Sequence, residues 1–274
     1  MVFFVILIFL ETYMTKKPKI LVTNDDGIMA PGLRHLWEAL VDIAELHIVA
    51  PATEQSAVGL GLTIRHPIQI EAVDLKEPAS AWKVTGTPAD CIRLGLSVIL
   101  GFKPDLIVSG INRGSNAGRN VLYSGTIGGV IEGTLRNVPG IAFSCSDFVN
   151  PDYKKAAPLI APLVQHLLEH PLPKGTLLNV NFPETEEILG IKMARQGKGL
   201  WVEDPDKRTH PEGHHYYWLG GKWQDHDEHE ESDVHLLKQG YAAAVPIHIN
   251  ELTDLAHFHE RKERFNKFFN DKDS

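Results

Sequence analysis

Short apolar runs alternate with longer stretches of helical periodicity over the first two-thirds of the chain. Alternation of this kind is typical of βαβ units whose strands form a parallel sheet. The pattern therefore predicts an α/β fold, a Rossmann-like three-layer sandwich around a mostly parallel sheet. The predicted strands are 19–23, 46–50, 82–85, 105–109, 139–143 and 176–180, and the predicted helices are 32–43, 87–100, 126–137 and 154–169.

Two proline positions mark where helices begin. Pro31 opens the first helix, where the missing N–H of proline does no harm. Thr87 and Pro88 repeat the pattern, with Thr87 as the N-cap and Pro88 as the first helical residue.

The character of the sequence changes after about residue 185. We expect an α/β core over 14–185 and an arm of β-hairpin and helix over 186–274. Within the arm, short strands are predicted at 190–194 and 241–248, and a charged helix at 251–269. The arm is too small and polar for an independent domain, so we expect it to pack on the core or to join subunits in an oligomer.

The amino terminus carries the one membrane-like feature. Residues 2–10 are all apolar, but a spanning helix needs ~20 such residues. A secretory signal requires a positively charged start, but no Lys or Arg precedes this run. We therefore predict that residues 1–13 are a non-native or disordered extension, that the native start is Met14, and that the protein does not associate with a membrane.

Composition and charge narrow the class of protein. The formal net charge of −8 gives no support for binding polymeric DNA or RNA. The acidic composition is still compatible with a small anionic substrate, because a bound metal can make the electrostatic potential of the site positive. The only cysteines, Cys91 and Cys145, lie in apolar contexts. This usage favours buried thiols in a reducing compartment, and we expect a cytoplasmic protein.

The strongest chemical signal directly follows the first predicted strand. Asn24, Asp25, Asp26 and Gly27 place two adjacent carboxylates at the carboxyl end of that strand. In an open α/β sheet, ligands bind at this edge. Like charges beside a core are costly unless a cation compensates them. An Asp-Gly hairpin turn is the alternative, but the following residues are predicted to be helical.

Other polar segments follow later strands and point to the same edge. Ser56 comes after the second strand, Asn112 and Asn116 lie in a glycine-rich segment after the fourth, and Ser124 to Thr126 precede a helix. Each alone is explained as well by a surface serine, a plain loop or a helix cap. Together with the aspartates they form an all-oxygen set, which suits Mg²⁺ or Mn²⁺ and phosphoryl transfer.

These segments closely resemble the survival protein E (SurE) nucleotidase family over about residues 18–183. The resemblance rests on motifs that occur in order: Leu21 to Gly27 with Ala30 to Gly32, Val49 to Pro51 with Ser56, Gly86 to Cys91, Ser109 to Asn112 with Gly114 and Asn116, and Tyr123 to Thr126. It implies a phosphatase of nucleoside 5′- and 3′-monophosphates that needs one divalent cation per subunit, with activity on short polyphosphate in some members. It also implies dimers or tetramers with exchanged arms.

The resemblance also implies site roles. Metal ligation falls to Asp25, Asp26, Ser56 and Asn112. Phosphate contacts fall to Asn116, Ser124, Gly125 and Thr126, and Asn24 joins these candidates. We expect a cation-activated water to attack the phosphomonoester, with Asp25 or Asp26 accepting its proton.

Three alternatives stay open from the sequence. An aspartate could be the nucleophile and form an aspartyl-phosphate. The chain could be a nucleotide-sensing module without turnover, although an acidic pair gains little by repelling a phosphate. A serine hydrolase ranks last, because the Gly-x-Ser-x-Gly elbow is missing near any predicted strand end.

Overall fold

A nine-stranded sheet forms the centre of the structure, a computed structural model that describes residues 17–75 and 80–270. Four further strands form two separate hairpins. The strands are β1 Lys19–Thr23, β2 Glu45–Pro51, β3 Ile70–Val73, β4 Ser80–Val84, β5 Leu106–Arg113, β6 Gly140–Cys145, β7 Thr176–Phe182, β8 Ile191–Met193, β9 Leu200–Glu203, β10 Asp206–Thr209, β11 His215–Trp218, β12 Gly221–Gln224 and β13 Ala242–His248.

The strand order places a switch point beside β1. The sheet runs β3-β4-β2-β1-β5-β6-β7-β13-β8, and the six strands from β4 to β7 in this order pair in parallel. The chain builds outward from β1 in one direction through β2 and β4, and then in the other through β5, β6 and β7. In doubly wound sheets, ligands bind outside the carboxyl ends of the strands where this reversal occurs.

Helices cover both faces of the sheet, which confirms the predicted three-layer α/β fold. They are α1 Pro31–Leu40, α2 Pro88–Leu94, α3 Gly125–Thr134, α4 Tyr153–Glu169, α5 Asp233–Lys238 and α6 Leu255–Asn270. Side chains of a strand point alternately to the two faces. Ile20 and Val22 of β1 accordingly pack in one core with α1 and α4, while Leu21 packs in a second core with residues of α2 and α3.

The predicted start of α2 is confirmed in detail. Thr87 is its N-cap, and Thr87 and Asp90 form a reciprocal capping box, with Pro88 in the first turn. The helix predicted over 87–100 changes character at its end, because α2 stops at Leu94 and a π-helical turn follows over Gly95–Ile99. Gly95 lies against β1 here: a Cβ at this position would be 3.2 Å from Leu21 Cδ2.

Two strands of the nine-stranded sheet differ from the prediction. β3 was not expected, and it pairs antiparallel with β4 at the sheet edge, where half-exposed residues carry a weak apolar pattern. β5 continues to Arg113 instead of ending at Ser109, with a register shift between Ser109 and Asn112. At Gly110, φ is +124° and a Cβ would lie 2.2 Å from Phe143 O, so only glycine fits this irregular step.

The C-terminal third contributes to the same sheet. β13 pairs antiparallel with β7, and β8 pairs in parallel with β13. The sheet therefore crosses the predicted 185/186 division, while a separate role for 186–274 stays a prediction. The two hairpins, β9–β12 and β10–β11, pair only within themselves, and α6 has no buried residue.

The predicted extension, residues 1–13, lies outside the described residues. Within the described ranges, every helix is too short or too polar to cross a lipid bilayer.

The buried face of α1 gives a test of the core. Leu36 is fully buried, so Leu36→Ala should lower the free energy of unfolding by about 2–5 kcal/mol through lost burial and a cavity. Leu135, at the end of α3, is 52% exposed, and Leu135→Ala should change stability by less than about 0.5 kcal/mol. Urea unfolding of both variants measures the contrast. Equal losses would contradict the assignment of α1 to the core.

Candidate active site

The candidate site lies at the strand switch point. Thr23, the last residue of β1, pairs with Ser109 of β5, and the aspartate pair follows after one intervening residue, Asn24. The first residues of α3 approach the same edge, which brings the predicted segments 24–26, 112–116 and 124–126 to one end of the sheet.

Asp25 is the most deeply buried carboxylate of the pair, with 4% of its surface exposed. Its Oδ1 accepts a hydrogen bond from the Thr126 hydroxyl at 2.6 Å. Burial raises the pKa of Asp25 to about 6; the Thr126 hydrogen bond opposes this rise, and the charge of Asp26 adds to it. Asp25 is therefore a desolvated acid at the N-terminal turn of α3.

A glycine permits this close approach of strand end and helix. A Cβ on Gly125 would lie 2.9 Å from Asp25 Cβ and 3.0 Å from its Oδ2. Ser124 caps the helix, since its Oγ accepts the Ile127 N–H at 3.2 Å. The first N–H groups of α3 have no partner within the helix, a property that favours anions.

Asp26 is partly buried and has mixed neighbours. Its Oδ2 accepts the backbone N–H of Arg113 at 3.1 Å. Burial raises the pKa of Asp26, the Arg113 N–H and guanidinium lower it, and the charge of Glu54 raises it. Glu54 is in turn 3.6 Å from the Arg113 guanidinium. Asp26 thus belongs to a small charged group at the rim of the site.

Buried amides hold Asn116 in place. Its Nδ2 donates to Ser144 Oγ at 2.8 Å and to Thr126 Oγ1 at 3.4 Å. Its backbone N–H donates to Asn181 Oδ1 at 2.7 Å, and its carbonyl accepts from Asn179 Nδ2 at 3.0 Å. The network therefore links Asn116 both to the helix start and to β6 and β7.

A buried carboxylate from α5 holds the next turn of the same loop. Asp233 Oδ2 accepts the Gly118 N–H at 3.0 Å, and Asp233 Oδ1 accepts the Gly197 N–H at 2.8 Å. Gln196 Nε2 donates to both Gly118 O at 2.6 Å and Asp233 Oδ2 at 2.8 Å. The C-terminal third thus supports the loop that carries Asn116.

Ser56 and Asn112 have partners of their own. Ser56 is exposed and donates to Glu54 Oε1 at 2.6 Å, while its neighbour Gln55 donates its backbone N–H to Asp25 O at 2.7 Å. Asn112 Nδ2 donates to Gly114 O at 2.8 Å. The structure thus ties the loop of Ser56 to Asp25, but the Ser56 hydroxyl points its proton at Glu54.

The donor set fits a hard dication. Asn24 is fully buried, its Nδ2 donates to Gly27 O at 2.9 Å, and its Oδ1 has no hydrogen-bond partner among the described residues. Asn112 and Ser56 likewise donate a hydrogen bond to a protein oxygen. The lone pairs of Asn112 Oδ1 and Ser56 Oγ are therefore available to a cation. Oxygen ligands with two carboxylates are what Mg²⁺ or Mn²⁺ prefers.

Several neighbours of the site were not predicted. Arg113 follows the candidate ligand Asn112 directly, and this adjacency in sequence could have identified it as a neighbour of the site. Glu54 lies two residues before Ser56 and could have been noticed for the same reason. Asn179, Asn181 and Asp233 are distant in sequence, and nothing local announces their contact with the 116–118 loop.

Fold and site together define a doubly wound α/β protein with an acidic, oxygen-lined site at its strand switch point. The family model described as "Survival protein SurE" matches residues 20–203. The chain therefore belongs to the SurE family.

Individual relatives agree with this assignment. The chain is 52% identical to "5'-nucleotidase SurE" of Protochlamydia amoebophila, over 94% of this chain and 100% of the relative. It is 44% identical to the protein of the same name from Christiangramia forsetii, over 85% and 91% of the two chains. The crystal structure of the SurE protein from Aquifex aeolicus superposes with a TM-score of 0.76 at 36% identity, covering 92% of this chain and 100% of that one.

The burial of Asp25 predicts a pH-dependent stability effect in chelator-treated protein. A native pKa of about 6, above the ordinary 3.8, means that the folded state binds more protons than the unfolded state between these values. Wild-type stability should therefore fall as the pH rises from about 4 to 6. Asp25→Asn removes this effect and should be more stable than wild type by about 1–3 kcal/mol at pH 8.

Urea unfolding in EDTA at pH 4 and pH 8 measures this difference. Asp42→Asn, at an exposed position before β2, is the matched control and should show no such gain. An Asp25→Asn variant less stable than wild type at pH 8 would contradict the desolvation argument.

Proposed function

We propose that this chain is a nucleotidase, a phosphomonoesterase that releases phosphate from nucleoside monophosphates. The observation that carries the proposal is the desolvated pair Asp25 and Asp26 at the switch point, beside the first turn of α3. The name shared by the relatives, 5'-nucleotidase SurE, supports a 5′-phosphate substrate. The proposal extends to nucleoside 3′-monophosphates and short polyphosphate, as the resemblance to the family implies.

The proposal includes one divalent cation per subunit, Mg²⁺ or Mn²⁺, held by Asp25, Asp26, Ser56 and Asn112. Bound there, the cation would lower the pKa of a water molecule and offset charge on the phosphoryl oxygens. Ser56 can keep its hydrogen bond to Glu54 in this role, because the bond uses its proton and leaves its lone pairs free. Asn112 similarly keeps Oδ1 as its acceptor.

The phosphate group would lie at the start of α3. The candidate contacts are Asn24, Asn116, Ser124, Gly125 and Thr126. N–H groups of a helix N-terminus favour an anion, and the absence of a side chain at position 125 lets Asp25 pack against this turn. Asn116 is held from β7 through its backbone and from β6 through Ser144, which fixes its side chain beside Thr126 before a phosphate binds.

Either aspartate could accept the proton of the attacking water. Burial raises the pKa of Asp25 to about 6 in the metal-free protein, and a bound dication would lower it and keep the carboxylate charged, as a base requires. Attack by an aspartate itself would instead leave a phosphoryl group on the protein. Mass spectrometry of enzyme quenched during turnover separates the two routes, and a phosphorylated aspartate would contradict attack by water.

The proposal further includes a homodimer or homotetramer assembled through the C-terminal arm. Helix α6 has no buried residue. Even its apolar side chains are exposed, with Phe265 at 62% and Phe268 at 78%. Trp218 and Leu219, at the end of β11, are 68% and 85% exposed. Large apolar side chains exposed in this way favour a protein interface, and the proposed partner is a second copy of this chain.

A cytoplasmic location is also part of the proposal. Cys91 and Cys145 are both buried and unpaired, and burial raises the pKa of each thiol. Unpaired, unreactive thiols are the usual state of cysteine in a reducing compartment.

Asp25→Asn should reduce phosphate release from AMP in Mn²⁺ or Mg²⁺ by at least about 100-fold, because it removes charge from the proposed cation site and a candidate base. Colorimetric phosphate assays measure the rate, and Asp42→Asn should keep wild-type activity. Full activity of Asp25→Asn would refute the proposed role. Binding of AMP by wild type without any metal-dependent turnover would instead indicate a sensing module.

A chain that ends at Thr253, and so lacks α6, should show a smaller stoichiometry than the full chain. Light scattering after size exclusion measures the mass of both. Phe265→Ser/Phe268→Ser retains the helix and should weaken the assembly in the same direction. An unchanged mass for both variants would show that α6 is not the assembly element. Truncation near residue 186 is less informative, because it also removes β13 from the sheet.

A further inference from the structure

The turn between β10 and β11 brings together three metal-ligating side chains. His210, Glu212 and His214 each offer one ligand atom, and these atoms all lie within 4.8 Å of one another. Among the described residues this is the only group of three or more His, Cys, Asp or Glu side chains with that geometry. It belongs to a different part of the chain from the aspartate pair.

The backbone of the turn fixes these side chains relative to one another. The His210 N–H donates to His214 O at 2.9 Å, and the Gly213 N–H donates to His210 O at 2.8 Å. Gly213 has a φ of +91°, which favours glycine and lets the chain reverse within the ligand run. Below the turn, Thr209 pairs with His215 in the antiparallel ladder.

The side chains already face each other. The two imidazole rings are stacked, with centroids 4.4 Å apart and an interplanar angle of 16°. His210 Nδ1 is 3.8 Å from Glu212 Oε2. Zn²⁺ binds imidazole nitrogen and carboxylate oxygen at about 2.0–2.2 Å, so binding one ion requires the three ligand atoms to move closer and the imidazole rings to rotate out of their stack.

The chemistry of this set differs from that of the switch-point site. Two imidazoles and a carboxylate suit Zn²⁺, Co²⁺ or Ni²⁺, whereas Mg²⁺ prefers oxygen ligands alone. Glu212 pairs with His210 and with no Lys or Arg in the described part of the chain. Its negative charge is therefore available to an ion, and three ligands leave an open position for water or another donor.

We propose that His210, Glu212 and His214 form a binding site for one transition-metal dication of the zinc class. The site is independent of the proposed catalytic cation. A bound ion would link the two ends of the turn at the tip of the β10–β11 hairpin, whose strand residues are all exposed.

Co²⁺ titration of the full chain in excess Mg²⁺ tests the proposal, because Mg²⁺ competes with Co²⁺ for the proposed oxygen site and Co²⁺ reports nitrogen ligation by visible absorption. Wild type should bind one Co²⁺ per chain at this site, and Zn²⁺ should displace it. The Asp25→Asn variant should retain that signal. His210→Gln/His214→Gln should weaken binding by well over tenfold, since losing even an outer partner of a ligand costs about 10–100-fold.

His226→Gln/His229→Gln is the matched control, because it removes two histidines from an acidic segment outside the cluster and should leave Co²⁺ binding unchanged. Far-ultraviolet circular dichroism checks that each variant is folded. Unchanged Co²⁺ affinity in His210→Gln/His214→Gln, loss of the signal in Asp25→Asn, or absence of Co²⁺ uptake by wild type would each overturn the proposal.

Discussion

Burial of the Asp25 carboxylate between the end of β1 and the start of α3 is the constraint on which the site depends. A charge removed from water needs compensating partners, and Thr126 supplies a hydroxyl at 2.6 Å. The helix must approach the strand end closely for this contact, which requires glycine at position 125. The charge that remains uncompensated is the charge that a bound dication would neutralise. Under the proposed metal binding, stability of the free protein and affinity for the ion would therefore oppose each other at this residue.

Most of the sheet could be predicted from the sequence, because buried parallel strands are short apolar runs and their helices begin with local signals. Thr87 and Pro88 are such a signal, and the capping box with Asp90 is present. The convergence of 24–26, 112–116 and 124–126 could also be predicted, since parallel strands place their carboxyl ends at one edge. The roles of these residues in binding and catalysis stay predictions.

The rest depends on contacts between distant residues. β3 is a half-exposed edge strand that only β4 specifies. The extension of β5 to Arg113 depends on the fit of Gly110 against Phe143, which no local pattern reveals. β13 is a short buried run of small residues whose partner, β7, lies some sixty residues earlier. Sequence periodicity reports burial of a segment but not the strand beside it, so the C-terminal third looked more separate than it is.

The support of the 116–118 loop from two sides links the C-terminal third to the site. Asn181 and Asn179 hold Asn116 from β7, whereas Asp233 of α5 holds Gly118 two residues later. The second support comes from the same region that presents the exposed hairpins and α6. Because Asp233 is fully buried and its contacts are direct, a displacement of α5 would move Gly118 and, through it, the amide of Asn116. Packing of the arm and geometry of the candidate phosphate site are thus mechanically connected in one chain.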